Sequence, residues 1–230
     1  MSIYTPKNLL LLLIGFTVFS CSTKTAPSAG ADVNVLSRKE QKEGYVSLFD
    51  GHSLNNWIDG NNQYEVRENA IVKKTKGYGN LYSRNEYRDC ILRFEFLLTP
   101  AANNGLGFHH KLVEGAKGYD GIELQILDND AAVYKALKPY QYHGSLYGYV
   151  PARRTGLKPA GTWNFQEVTV RGSKIKVVLN GETILDTDVK TLPAAALAKD
   201  PRLLYEKGHI AFLGHDSEIR LRNIRVREIK

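Results

Sequence analysis

The chain has 230 residues, a hydrophobic content of 43% and a formal net charge of +7 at pH 7. That length and composition fit one packed globular domain and exclude a disordered or fibrous chain. The basic residues are dispersed as Lys73, Lys74 and Lys76, then Arg153 and Arg154, then Arg220, Arg222, Arg225 and Arg227. The last set alternates along one predicted strand, the pattern of a solvated sheet face, which argues against nucleic acid as a partner.

At the N-terminus, Lys7 precedes an apolar run from Leu9 to Phe19 that is too short to span a bilayer comfortably. The run ends at Ser20-Cys21, and Val18 occupies the position where leucine is usual in the pattern that this segment resembles, the lipobox of bacterial lipoproteins. The resemblance implies that residues 1–20 are a signal peptide and that Cys21 carries lipid. It also implies export to the cell envelope, with a membrane as partner through that anchor. A plain secretory signal with an incidental cysteine is the alternative. With Cys21 lipidated, no disulfide can form, and Cys90 reads as a small apolar core residue. Residues 21–43 form a tether, from Ser22-Thr-Lys-Thr-Ala-Pro-Ser-Ala-Gly30 onward, followed by one short helix. Ser37-Arg-Lys-Glu40 is a capping box that opens this helix before Gly44.

From Tyr45 the chain changes to short alternating segments separated by Gly, Asn, Asp and Pro, which predicts an all-β sandwich over residues 44–230. Strands are expected at Tyr45–Phe49, Gln63–Arg67, Ala70–Lys74, Cys90–Leu98, Leu106–His110, Ile122–Leu127, Glu167–Arg171 and Lys174–Leu179. Asn180-Gly181 is a strong hairpin turn into Thr183–Asp186. His209–Leu213 and Glu218–Ile229 close the domain. The last of these changes apolar phase between Leu221 and Ile224, which calls for a β-bulge near Asn223. Leu192–Ala198 reads as a short surface helix. The tyrosine- and glycine-rich stretch Asp128–Gly161 has no strand pattern, and loops of that length usually carry function.

In Ile122–Leu127, Ile122, Leu124 and Ile126 share one face, while Glu123 and Gln125 share the other. Such a polar pair is either a solvated surface or the floor of a cleft.

Several segments resemble the bacterial 3-keto-disaccharide hydrolase domain. They are Tyr45-Val-Ser-Leu-Phe-Asp-Gly51 with Trp57, Asn104-Gly-Leu-Gly-Phe108, Glu123-Leu-Gln-Ile-Leu-Asp-Asn129 and Leu146-Tyr-Gly148. Lys158-Pro-Ala-Gly-Thr-Trp-Asn164, Leu179-Asn-Gly181 and Leu221-Arg-Asn-Ile-Arg-Val226 follow in the same order. The resemblance implies a concanavalin A-like sandwich, or jelly roll, of two curved antiparallel sheets. It also implies a carbohydrate substrate, a glycoside oxidised to a ketone at C3, and a separate sugar oxidoreductase that supplies it.

Ordinary glycosidases need two carboxylates flanking the bond. The strand offers only Glu123, because Gln125 and Leu127 follow at the alternate positions and Asp128 has the opposite parity. A 3-keto sugar needs one base to remove the acidified C2 proton, a group to hold the oxyanion and a proton donor for the leaving oxygen. Glu123 and His215 are the catalytic candidates, Glu123 as base or ligand of a divalent metal and His215 as base, acid or metal ligand; no close-spaced metal motif accompanies them. The family's usual Asp-His-Gly is here Gly214-His215-Asp216. Gln125, His109, Tyr147, Arg153 and Trp163 are the substrate-binding candidates: Gln125 by hydrogen bonds, Tyr147 and Trp163 by stacking, Arg153 at the oxyanion. His109 and His110 are adjacent, so a regular strand turns only one of them to a cleft. A non-catalytic glycan-binding lipoprotein on the same fold is the competing reading.

Overall fold

The computed structural model describes Met1, residues 33–113 and residues 120–230. The signal segment, Cys21, most of the tether and Gly118-Tyr119 lie outside the described residues.

Helix α1 (Arg38–Glu43) opens with Ser37 accepting from the Glu40 amide while Glu40 reaches back to the Ser37 amide, and Gly44 ends it at φ +83°. Thirteen strands follow among the described residues: β1 (Val46–Ser47), β2 (Trp57–Asp59), β3 (Tyr64–Arg67), β4 (Ala70–Lys73), β5 (Gly79–Tyr87), β6 (Cys90–Leu98), β7 (Asn103–His110), β8 (Ile122–Leu127), β9 (Trp163–Arg171), β10 (Lys174–Leu179), β11 (Glu182–Asp188), β12 (Gly208–Gly214) and β13 (Ile219–Glu228). Helix α2 (Ala194–Lys199) lies between β11 and β12.

The strands form two antiparallel sheets. One runs β11-β10-β9-β6-β13-β4-β3, with β1 also on β13; the other runs β2-β5-β12-β7-β8. The expected sandwich is present. Tight turns need positive φ at both central residues, and the chain places Glu68 (φ 53°) and Asn69 (φ 57°) between β3 and β4. Asn180 (φ 48°) and Gly181 (φ 95°) do the same between β10 and β11. The phase change in the last strand is a bulge, with Asn223 at φ 52° and a register shift between Arg222 and Arg225.

The core fills the space between the sheets with Leu92, Phe94, Phe96, Val168 and Leu221 from one side and Leu81, Leu106, Leu124, Ile126 and Phe212 from the other. Phe94 meets Phe212 edge-on across the sheets at 5.5 Å, and truncating a ring buried this way costs about 3–5 kcal/mol. Cys90 is fully buried and its thiol is pushed up to about 12 by desolvation, so it acts as an apolar core atom. The core also holds a polar pair. His143 Nε2 lies 3.0 Å from Gln166 Oε1, with the ring stacked on Phe96 at 5.1 Å. Burial lowers the His143 pKa to about 4, so the ring is neutral.

Two strands escape the sequence pattern, β2 because it is three residues long and β5 because Asn80, Ser83, Arg84, Asn85 and Glu86 break its alternation. β5 is nevertheless an inner strand of its sheet. The polar run is a bulge: Tyr82 faces Ala211 and Glu86 faces His209, and the buried Ser83 hydroxyl accepts from the Ile210 amide.

Candidate active site on the five-stranded sheet

Strands β7 and β8 pair from Asn103↔Leu127 to Phe108↔Ile122. Directly paired residues share a face. Leu106–Leu124 and Phe108–Ile122 therefore look into the core, and Gly105–Gln125 and Gly107–Glu123 look away from it. A Cβ on Gly105 would collide with Oε1 of Glu123. The missing side chain is what lets the Glu123 carboxylate lie back across β7, next to the sheet.

Glu123 is partly accessible, yet desolvation raises its carboxyl from 4.5 to about 7. Arg202, the one charged group acting on it among the described residues, opposes the rise. A carboxylate poised near neutrality is suited to proton abstraction at physiological pH. The potential second acid, Asp128, is committed to structure, its Oδ2 accepting from the Ala101 amide at 2.8 Å.

The stretch Gly144–Tyr147 runs along the free edge of β8. Gln125 N donates to Ser145 O at 3.0 Å, Gly144 N to Gln125 O at 2.8 Å and Tyr147 N to Glu123 O at 3.0 Å. Leu124 bridges Leu146, which is buried in the core, so Tyr147 takes its place on the Glu123 side. Its hydroxyl accepts from Gln141 Nε2 at 3.0 Å. Gln125 is only 4% exposed and donates to Asn103 Oδ1 at 3.2 Å, so it holds Asn103, the more accessible amide, in place.

His109 is turned away from this face. It sits at φ 56°, which breaks the strand alternation, and its ring nitrogens face the carbonyls of Tyr205 at 2.6 Å and Arg88 at 2.8 Å. The kink puts His110, instead of His109, over Gly107. His110 is fully buried, with Nε2 3.1 Å from Ile122 O and its pKa lowered to about 4 by desolvation.

Three expected partners stand elsewhere. Trp163 begins β9 and pairs with Leu97, on the outer face of the eight-stranded sheet, where Arg222 stacks on its ring at 3.9 Å. Arg153 is exposed at the edge of that sheet, bonded to the carbonyls of Ile184 and Thr183. His215 follows Gly214, which pairs with Asn104, so it lies at the level of Asn103. Glu123 pairs with Gly107. Four residues along the strands and two strands across separate the two, about 13 Å by about 10 Å, too far to ligate one ion. Among the described residues no group of three His, Cys, Asp or Glu side chains is placed to hold a metal. His215 packs edge-on to Tyr78 at 5.3 Å, and desolvation lowers its pKa.

The structure adds residues that the sequence pattern did not single out. Arg202 grips Asp200 bidentately, Nε to Oδ1 at 2.6 Å and Nη2 to Oδ2 at 2.8 Å, and the Tyr149 hydroxyl donates to the same Asp200 at 2.9 Å. Tyr149 lies two residues beyond Tyr147, and at the other end the Tyr205 carbonyl lies 2.6 Å from the His109 ring at the end of β7. The segment 200–205 is thus fastened on both sides of the Glu123 end of β8. Only the spacing Asp200-x-Arg202 was visible in the sequence, and it names no target. Further across the sheet, Tyr82, Ala211 and Leu213 form a small apolar cluster with Ile58 and Val113.

Comparison with known proteins adds to this geometry. Residues 44–227 match the family described as the 3-keto-alpha-glucoside-1,2-lyase-like domain. A 3-keto-disaccharide hydrolase of Bacteroides thetaiotaomicron is 24% identical over 240 residues, covering 86% of this chain and 82% of that relative. A Parabacteroides distasonis protein, solved under a provisional glycosyl hydrolase name, superposes with a TM-score of 0.74 at 20% identity, over 86% of this chain and all (100%) of the other. A Bacillus subtilis protein with a galectin-like fold gives 0.55 at 12% identity, over 84% and 92% of the two chains.

Proposed function

The chain belongs to the 3-keto-alpha-glucoside-1,2-lyase-like family, and from that premise we propose that it cleaves glycosides already oxidised at C3. The observation that carries the reading is the desolvated carboxylate of Glu123, set near neutrality with no second acid acting on it among the described residues. That arrangement is poor for paired-acid hydrolysis and apt for elimination from a ketone.

Glu123 takes the C2 proton. The C–H electron pair forms C2=C3 and places negative charge on O3. The charge returns, re-forming the C3 carbonyl and C1=C2 as the C1–O bond breaks, and the departing oxygen receives a proton. Water then adds its oxygen to C1 and a proton to C2. The net change is 3-keto-glycoside plus water to a free 3-keto sugar and a free alcohol. Tyr147, on the Glu123 side of β8, packs on the sugar in this reading. His215 stands further along the same sheet, a distance that suits a contact with the departing group better than with the C2 proton. A separate sugar oxidoreductase supplies the ketone, and the lipobox-like Ser20-Cys21 supports an envelope protein anchored at Cys21.

The test is incubation with a 3-keto-glucoside and its unoxidised parent in deuterated water. Cleavage of the keto substrate alone, with deuterium at C2 of the product, is the expected result. Absence of cleavage would leave only a glycan-binding role.

A further inference from the structure

We propose that Arg202, clamped by Asp200 and Tyr149, is the cation that holds the charge developing on O3 while Glu123 removes the C2 proton. The assignment rests on the elimination reading above and supplies its missing oxyanion group, because Arg153 is bonded at the edge of the other sheet.

The geometry has three parts. The guanidinium is held on its Nε–Nη2 edge by both oxygens of Asp200, at 2.6 and 2.8 Å, which fixes its plane. Asp200 is in turn held by the Tyr149 hydroxyl at 2.9 Å. Tyr149 belongs to the stretch whose Tyr147 amide bonds the Glu123 carbonyl, so the clamp is built onto the Glu123 rung of β8. On the other side Leu203 is buried in the core, and the Tyr205 carbonyl lies 2.6 Å from His109, which locks the segment against the end of β7. The Arg202 side chain keeps 32% exposure, while Asp200 keeps 12%. Its charge is also felt at Glu123 and His110.

The chemistry needs such a group. When the carboxylate takes the proton, negative charge leaves Glu123 and appears on O3. A fixed guanidinium stabilises that charge without reorganising, and it disfavours protonation of the waiting base.

The experiment uses the full chain with a 3-keto-glucoside, comparing wild type, Arg202→Ala and Arg202→Lys across pH. Arg202→Ala is expected to lower kcat/KM by about 10²-fold or more. The acid limb of its pH profile should move to higher pH, and guanidinium ion at about 10–50 mM should restore activity roughly tenfold. Arg202→Lys keeps charge but loses the fork, and a loss of about tenfold is expected. A folded Arg202→Ala within threefold of wild type overturns the assignment, as does a loss with neither rescue nor a shifted limb. Should Arg202→Ala not fold, Arg202→Lys at the wild-type rate overturns it. Inactive wild type would instead remove the elimination reading itself, so the two failures are distinguishable.

Discussion

On the outer face of the eight-stranded sheet, glutamates sit in a lattice of arginines. Glu95 accepts from Arg222 Nε at 2.7 Å and Asn223 Nδ2 at 2.9 Å, and Glu167 accepts from Arg93 Nε at 2.6 Å. Glu40 of α1 lies 3.0 Å from Arg225, and the Arg93 guanidinium stacks 4.4 Å over the Tyr45 ring. On the outer face of the five-stranded sheet, Glu123 lies over a glycine, desolvated, with its carboxyl at about 7 and Arg202 acting on it without a direct ion pair to it. Both faces present glutamate from strands at alternating positions. What separates them is the neighbouring strand: arginines stand beside Glu95 and Glu167, glycines beside Glu123. A paired carboxylate is a structural group, and an unpaired one near neutrality is available to react.

The largest expected effect breaks the reactive face. Glu123→Gln should lower kcat/KM on a 3-keto-glucoside by about 10³-fold or more, read by initial rates, since a general base contributes on that order. The same change should raise stability at pH 8. The folded carboxyl is more easily protonated than the unfolded one, so stability is lost as pH rises from 4.5 through about 7. The gain is about 1–2 kcal/mol in urea titration, less than the full shift because Glu123 is partly open to water. At low pH the two proteins should converge.

The pH profile sharpens the contrast further. Because the base must be ionised, wild-type kcat/KM should fall about tenfold per pH unit below about 7, a limb absent from Glu123→Gln. The core pair predicts an acid limb in stability instead. His143 is neutral in the fold with its pKa lowered to about 4. Stability should therefore decline as pH falls from 6.5 toward 4, by at most about 1.4 kcal/mol per unit from this group, and level off below about 4. His143→Gln, compared by urea titration at pH 7 and pH 5, should flatten that decline.

The smallest effects belong to the paired face. Trp163→Ala and Arg222→Met should leave turnover within about twofold, while costing about 1–2 kcal/mol of stability through the lost cation–π contact and the uncompensated Glu95. A loss of turnover comparable to that of Glu123→Gln would erase the distinction between the faces.

Much of the fold was legible in the sequence because alternation, turn residues and caps are local. The capping box at Ser37, the turn at Asn180-Gly181 and the bulge at Asn223 each follow from a few neighbouring residues. β5 was hidden because its bulge replaces apolar alternation with side-chain hydrogen bonds, as at Ser83.

The site divides along the same line. Parity alone placed Glu123 and Gln125 on the face opposite Ile122, Leu124 and Ile126, and showed that a second strand carboxylate was missing. Parity failed at His109, where one residue at φ 56° exchanges the positions of two adjacent histidines. The sequence also offered Arg153 and Trp163 as ligands on residue type, with no knowledge of which sheet would receive them. Only the tertiary structure assigned them to the other sheet and brought Arg202, Asp200 and Tyr149 to the end of β8. The reason is physical: strand periodicity fixes which way a side chain points within its own strand. The pairing of distant strands and the burial around them fix what it meets and what charge it can hold.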